Sequence, residues 1–308
     1  MSPSSLSPSL RRPHVLAAVI VAFSPVGAQA ATGRPANNEV SLTIEGAATS
    51  RTDFEARGAA AGGISVAQAG LKLSVPFKPL NAQWFPSVGL EYRHYTLDRS
   101  SGTPLPETLK SLGASFTLVG SLGPEWRLIG SVSPRLSNAG SGFSNRGLGF
   151  GVIAIANRNF NPEFSGGFGF VYDSLARGTG RILPVATFEW KPAPAWRMFL
   201  GFPRTGATWQ IRNELTAEFV AEADFGSFYV TDDPLPRGVG NPALDRTRLE
   251  YQAFRVGPAL TWKVTPAFQT RIAAGAVPLL NADYHRRHYK LKSDDTTAFA
   301  SLELVLKF

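Results

Sequence analysis

Beyond residue 30 the chain carries three histidines, His94, His285 and His288, and it has no cysteine anywhere. A hydrolase that activates serine through a His-x-Ser pair needs the imidazole placed to take the hydroxyl proton. His94 is followed by Tyr95-Thr96 and His288 by Tyr289-Lys290, so neither offers that pair. An Asp-His pair with a second pair of aspartates is the other hydrolytic arrangement to weigh. Asp283-Tyr284-His285 and Asp232-Asp233 have the right types, but both fall in predicted external loops, where charged clusters are solvated or meet divalent cations. His285 and His288, three apart and near Asp283, Asp294 and Asp295, form a metal-ligand pattern of low specificity. Without cysteine, neither a thiolate metal site nor a disulfide framework is available. The stretch His285-Arg286-Arg287-His288 suits phosphate-bearing lipid headgroups or plain water. Gly240-Asn241-Pro242-Ala243 sits in a Pro/Gly-rich stretch and reads as turn chemistry. Gly147-Leu148-Gly149-Phe150-Gly151 lies in a predicted strand, not at a strand-to-helix turn, which rejects a phosphate cradle. No catalytic residue, metal site or cofactor is expected.

The elements that must position the remaining charges announce themselves through a repeated turn. A proline followed within a few residues by an aromatic recurs at Lys78 to Trp84, Gly123 to Trp126, Asn161 to Phe164, Lys191 to Trp196 and Thr265 to Phe268. Proline lacks an amide donor and punctuates strands. The last proline of each turn falls at 79, 124, 162, 194 and 266, giving gaps of 45, 38, 32 and 72. The last gap is double the others, so a sixth turn is expected near 230, with Ala223-Asp224-Phe225-Gly226-Ser227 as the candidate. Between these turns lie longer polar segments: Asp98 to Glu107, Asn138 to Arg146, Leu175 to Gly180, Thr231 to Arg246 and Leu279 to Asp295, with a tight exception at Pro203 to Gly206. Short turns on one side and long loops on the other are the habit of membrane β-barrels. The resulting strands are about 39–50, 62–77, 84–97, 108–121, 125–137, 146–158, 163–175, 181–190, 195–203, 206–222, 225–232, 247–263, 267–278 and 297–308. The fold class is all-β, a transmembrane antiparallel up-and-down barrel of 14 strands. Twelve is the alternative if 206–232 or the first pair is misread.

Aromatics test that frame independently. Trp84, Trp126 and Trp196 follow proposed turns, Trp190 and Trp262 precede them, and Phe164 and Phe268 take equivalent places. Tryptophan favours the interface, where its ring is apolar and its N–H stays wet. These residues and Phe308 form the predicted girdle. Alternation within strands agrees: Phe164, Gly166, Phe168, Phe170 and Tyr172 share a face, opposite Ser165, Gly167, Gly169 and Asp173. Successive strand residues face opposite sides, so phase predicts an inward set of Arg93, Arg127, Arg135, Arg197, Arg212, Arg271 and Lys307. The acidic partners on those faces are Glu91, Glu189, Glu214, Glu218 and Glu303. Such a mixed lining either tunes ion preference in a wet pore or forms ion-pair ladders filling a closed one.

The two ends give the location. Arg11, Arg12 and His14, the apolar run Val15 to Phe23 and the small-residue site Ala28-Gln29-Ala30 read as a secretory signal covering 1–30. The apolar run is short of the roughly 20 residues of a spanning helix. Cleavage takes the net charge from +8 to +6 by removing two arginines and no acid. A short segment, 31–38, then precedes a barrel at 39–308. Hydrophobic residues make up 44% and the mean hydropathy is −0.04, as expected where only alternate residues meet lipid. At the other end, Leu302, Leu304, Leu306 and Phe308 alternate with Ser301, Glu303, Val305 and Lys307.

That closing strand resembles the C-terminal signature of outer-membrane β-barrels, and the whole mature chain resembles Gram-negative proteins of that kind. In length it is similar to monomeric 14-stranded porins. The block Leu200-Gly201-Phe202-Pro203-Arg204-Thr205-Gly206, followed by Trp209, looks like a motif of a barrel family described only as a domain of unknown function, and it transfers no catalytic residue. Long-chain fatty-acid channels share the strand number but carry an N-terminal plug, for which Ala31 to Asn38 leaves little chain. The resemblance implies both termini in the periplasm, outer-membrane lipids and lipopolysaccharide as surroundings, and recognition of the last strand by the barrel assembly machinery. Export argues against nucleic acid as a partner of the basic chain. Three functions follow in order: a passive channel for small solutes with a slight anion preference, a structural or binding barrel with a filled lumen acting through its outer loops, and, last, a lipid-modifying enzyme.

Overall fold

The computed structural model describes residues 39–308 apart from 57–58, 82, 177–180 and 236–242. The expected signal at 1–30 and the segment 31–38 lie outside the described residues, as does most of Gly240 to Ala243. Sixteen strand segments form one sheet: β1 (Ser41–Thr49), β2 (Thr52–Ala56), β3 (Ala59–Pro76), β4 (Trp84–Arg99), β5 (Thr108–Leu122), β6 (Trp126–Ala139), β7 (Leu148–Asn159), β8 (Phe164–Asp173), β9 (Ile182–Ala193), β10 (Trp196–Leu200), β11 (Arg204–Gln210), β12 (Leu215–Val230), β13 (Arg248–Thr265), β14 (Phe268–Tyr284), β15 (Tyr289–Ser293) and β16 (Thr297–Lys307). Both β1 and β2 pair with β3, and both β15 and β16 with β14, so each couple is one broken strand. The sixteen segments therefore make fourteen strands. The barrel closes where β16 pairs antiparallel with β1, from Ser41 opposite Lys307 to Thr49 opposite Phe299. Phe308 adds one more bond, its amide donating to the Val40 carbonyl at 2.9 Å.

Fourteen strands were expected, but one turn sits elsewhere. Ala223 to Ser227 is no turn: it lies within β12, paired residue by residue with β13 from Ala223–Phe254 to Ser227–Glu250. The turn is Ile211 to Glu214, which contains no proline and so escapes the Pro–aromatic pattern. Two further expectations change. The polar alternation expected over 206–222 breaks at this turn, and the expected loop Leu279 to Asp295 includes the end of β14 and all of β15.

The outward face is apolar all the way round. Leu71, Leu90, Leu112, Phe116, Val132, Phe150, Phe168, Phe170, Phe188, Met198, Leu200, Phe219, Leu260, Ile272 and Leu302 are large, exposed and in one register phase. A soluble barrel would cover such a belt. A spanning barrel needs it, because its paired strands turn side chains, not backbone groups, toward the lipid.

One strand leaves the wall. Up to Glu222, β12 pairs with β11. At its far end it pairs in parallel with β6, Tyr229 opposite Asn138 and Val230 opposite Ala139. β12 thus crosses the barrel mouth and divides its loop end into two lobes. The first lobe, bounded by β12 to β16 and β1 to β6, is solid: Phe54, Ile64, Tyr95, Leu109, Val230, Leu249, Tyr251, Leu280, Tyr284 and Leu291 are essentially without solvent contact and pack together. The side chains of Phe228 and Val230, carried in by β12, complete that packing. Burying each large apolar side chain contributes about 1.5–3 kcal/mol, which explains why the strand leaves its wall position.

Candidate functional site: the divided lumen

The inner face can be assigned without ambiguity, because its side chains meet across the barrel. Arg93 on β4 reaches Asp224 on β12 at 3.5 Å and Glu45 on β1 at 3.5 Å, and it also pairs with Glu91. Asp224 is met by Arg255 Nη2 at 3.1 Å and by the Tyr95 hydroxyl, which donates at 3.1 Å. Arg255 also donates to Gln68 Oε1 at 2.7 Å. β4 and β12 are not neighbours in the sheet; only an interior contact joins them. A second cluster lies nearer the turn end. Glu218 takes Arg204 at 2.9 Å and Arg271 at 3.2 Å, while Glu222 lies 3.8 Å from Arg204 and 4.0 Å from Arg271. Together the clusters tie β12 to β4, β11, β13 and β14, so the partition is anchored electrostatically below its apolar end.

A clasp at the loop end completes the anchor. Thr231 donates its amide to the Ala139 carbonyl at 2.9 Å. Asp232 Oδ2 accepts from Ser141 Oγ at 2.7 Å and from the Ser141 amide at 3.0 Å. Those bonds hold the Asp232 carboxyl below the ordinary carboxylate range. Gly140 sits between them at φ +108°, where a Cβ would stand 2.5 Å from the Thr231 hydroxyl oxygen; only glycine fits. Arg146 reaches over to the Tyr229 hydroxyl at 3.1 Å.

The second lobe, enclosed by β6 to β12, differs in kind. Its inner-face side chains Ile153, Ile155, Asn157, Thr187, Arg197, Phe199 and Thr208 are half-buried, as expected for groups lining space. Near the turn end Glu189 is paired with Lys191 at 3.0 Å and Arg197 at 3.4 Å. Arg127 stands on the same face with no carboxylate in ion-pair range among the described residues. Higher up, Arg135 is paired with the buried Asp173, which caps Leu175 by accepting from its amide at 2.9 Å. A cavity of about 80 Å³ runs along the β12 flank between Arg93, Ser131, Arg135, Ile153, Phe225 and Phe228.

The residues expected inward from phase separate into two groups. Arg93, Arg127, Arg135, Arg197, Arg271, Glu91, Glu189, Glu218, Glu303 and Lys307 lie on the inner register phase. Arg212 and Glu214 do not: both are exposed in the 211–214 turn, because the strand expected to carry them ends at Gln210. Sequence reasoning missed Glu45, Arg204, Glu222, Asp224 and Arg255. Asp224 was assigned to a turn and Arg204 to a tight loop. Arg255 had a readable signal, since it shares one strand face with Leu249, Tyr251 and Ala253. Trp84, Trp126, Phe164, Trp190, Trp196, Trp262 and Phe268 stand beside the turns in outward phase, and Trp209 joins them, its ring stacked on Trp196 at 5.7 Å. His94 lies on the outward phase of β4 beside Tyr92. Tyr284, the middle residue of the Asp-x-His candidate, is buried in the first lobe, its hydroxyl donating to the Pro104 carbonyl at 2.8 Å. Among the described residues no group of three or more His, Asp or Glu is arranged to hold a metal ion.

Comparison with known proteins gives a family and a set of distant shapes. A family described as "Domain of unknown function (DUF6268)" matches residues 53–300. No curated protein matches the sequence. Among solved structures, an outer membrane channel of the COG4313 group from Pseudomonas putida F1 aligns at 11% identity over 89% of this chain and 99% of its own, with a TM-score of 0.47. A Pseudomonas aeruginosa FadL homologue aligns at 9% over 88% and 90%, with a TM-score of 0.46. The NanC porin aligns at 12% over 87% and 100%, with a TM-score of 0.40.

Proposed function

Because the chain belongs to the DUF6268 family, whose description names no activity, we propose from its lumen alone that it is a passive outer-membrane channel whose conducting path is the second lobe. One observation carries this reading: Ile153, Ile155, Asn157, Thr187, Arg197, Phe199 and Thr208 on the inner face between β6 and β12 keep partial exposure, although Val171, Val185 and Glu189 beside them are buried, whereas the loop end of the first lobe is sealed. The apolar belt supports a membrane location, and this reading takes the short turns and both termini to be on the periplasmic side. In that orientation solute enters between the outer loops and leaves beside the turns.

The lining favours small anions modestly. Around the turn end of the second lobe, Arg127, Lys191 and Arg197 are accompanied by Glu189, while Glu218, level with Arg197, is already paired with Arg204 and Arg271. A fixed excess of positive charge in a narrow wet passage raises the local anion concentration. The inner clusters of the first lobe are internally paired and add little. Planar-bilayer recording of the purified protein in a salt gradient tests the reading directly. The expected result is stepwise conductance with a reversal potential on the anion side. A tight bilayer, with the protein shown folded by its heat-dependent gel shift, refutes it.

The sealed first lobe favours one second reading, a barrel that works through its outer loops. A bilayer that stays tight would turn the assignment to that reading.

A further inference from the structure

The wall of the second lobe has a gap at membrane depth. A strand needs about 9–11 tilted residues to span the hydrocarbon, yet β10 has 5 and β11 has 7. Their hairpin ends at Gly201 to Pro203, where Leu200 pairs with Phe188, and Phe188 in turn with Gly166. That level is one inward-outward step above the Trp190–Phe164 pair of the aromatic belt. Above it, Ile182 to Thr187 of β9 pair with Gly167 to Tyr172 of β8 and, among the described residues, with no strand on their other edge. On the far side, the last bond from β12 to the hairpin is the Ala223 amide to the Pro203 carbonyl at 2.9 Å. β12 then turns inward to β6.

The gap does not lie above the bilayer. The outward residues at the same level on β8, Phe168 and Phe170, are 65% and 44% exposed, and they belong to the apolar belt. Six residues of β9 flank the gap, which at about 3.3 Å per residue and a tilt near 40° amounts to roughly 15 Å of height. An unpaired strand edge cannot face hydrocarbon, since each unsatisfied backbone group there costs several kcal/mol; it is tolerated only where it borders protein or a wet cavity. The edge of β9 therefore marks a place where the second lobe meets the lipid. Pro184, on that edge, has no amide to leave unpaired.

The chemistry of the border is apolar. Leu183 and Val185 lie on the β9 side. On the β12 side Ala223 and Phe225, in the phase that faces lipid elsewhere, are buried against Phe202 of the hairpin tip, and the rings of Phe202 and Phe225 stack at 6.3 Å. The floor cation, Arg204, is occupied by Glu218 and Glu222.

We propose that the gap between β9 and β12 is a lateral portal through which small apolar solutes pass between the second lobe and the bilayer interior. The proposal rests on the channel reading and supplies it with a second solute class and a second exit. Because the chain has no cysteine, single-cysteine variants test it cleanly. Leu183→Cys, on the inner phase beside the gap, is labelled with bimane and reconstituted in phosphatidylcholine vesicles carrying brominated acyl chains. Phe168→Cys reports the lipid face, and Ile153→Cys an inner face whose strand is paired on both sides. The portal requires quenching at 183 comparable to 168 and far above 153. Quenching at 183 no greater than at 153 overturns it. So does an interchain disulfide at 183 on oxidation, which would mean that a second copy seals the gap. Conductance without quenching at 183 removes the portal and leaves the channel standing; a bilayer that stays tight removes both. Transfer itself is read with 1-N-phenylnaphthylamine in cells making the protein: Ala223→Trp, which crowds the sill, slows its uptake severalfold, and an unchanged rate in a correctly folded variant counts against passage.

Discussion

Asp224 is the residue on which the partition turns, and replacing it gives a decisive measurement. Its side chain is 7% exposed. It faces Arg255 at 3.1 Å and Arg93 at 3.5 Å, and it accepts from Tyr95 at 3.1 Å. At an effective dielectric of about 20, each ion pair attracts by about 5 kcal/mol. Desolvating three ions offsets most of that, so the intact cluster adds little net stability. Removing the anion alone is different, because the desolvation cost of both guanidiniums remains. Asp224→Ala is therefore expected to destabilise the folded barrel by about 3–5 kcal/mol. Asp224→Asn, which keeps an acceptor for Tyr95 and one arginine, is expected to cost about 2 kcal/mol. Urea unfolding in lipid vesicles, followed by the emission of the belt tryptophans, measures both. Pairing Asp224→Ala with Arg255→Ala should recover about 1–3 kcal/mol relative to the sum of the single changes, since the orphaned cation goes with its partner. A cost below about 1 kcal/mol for Asp224→Ala, or strict additivity with Arg255→Ala, refutes the claim that this cluster holds β12 across the lumen.

Three further outcomes are expected. Arg127→Glu cancels the cation excess at the turn end of the second lobe, so the reversal potential in a salt gradient moves from the anion side toward zero; an unmoved potential would place the ion path elsewhere. Asp232→Ala removes the acceptor of the clasp and should cost about 1 kcal/mol or less while raising protease cutting between 231 and 247. Since hydrogen bonds from Ser141 depress its pKa, that contribution is complete above the ordinary carboxylate value near 4 and is lost as pH falls below it; wild type and Asp232→Ala should thus converge in loop cutting at low pH. Phe308→Ala keeps the backbone bond to Val40 but removes the terminal ring, and it should slow assembly in pulse-chase heat-modifiability gels; wild-type kinetics would deny the ring a role in recognition.

Much of this architecture was legible because a membrane barrel imposes period two on nearly every residue. Leu302 to Phe308, or Phe164 to Tyr172, needs no tertiary knowledge to reveal a lipid face. The five proline turns were readable for the same local reason. The 211–214 turn was not, since Ile-Arg-Asn-Glu contains no proline and its neighbours Thr208, Gln210, Thr216 and Glu218 continue a polar alternation straight through it. Phase put Arg93, Arg127 and Arg271 on the inner register of their strands, but it could not name their partners. Asp224 meets Arg93 only because β12 abandons the wall, and that follows from residues distant in sequence: Phe228 and Val230 find Ile64, Leu109 and Tyr251 across the mouth. The polar, glycine-bearing run Ala223 to Ser227 mimics a turn for a related reason. A strand buried on both faces between a charged cluster and an apolar core loses the alternation that marks its neighbours.

The inward course of β12 also connects features that look separate. A strand that pairs with β13 on one edge and swings inward to reach β6 at its tip carries its other edge away from β11 beyond Glu222, so the β10–β11 hairpin has nothing to climb against. Its shortness is then a consequence of the partition. The same displacement leaves the upper edge of β9 without a partner at membrane depth. Sealing the first lobe and opening the wall of the second are thus two results of one pairing choice, held by Asp224 below and by the Asp232–Ser141 clasp above. It follows that loosening the clasp should act on both lobes together: Gly140→Val, whose Cβ would strike Thr231 and Asp232, should increase ion conductance through the first lobe and reduce bromolipid quenching at Leu183→Cys as β12 returns toward the wall. A change in one without the other would show that partition and gap are independent.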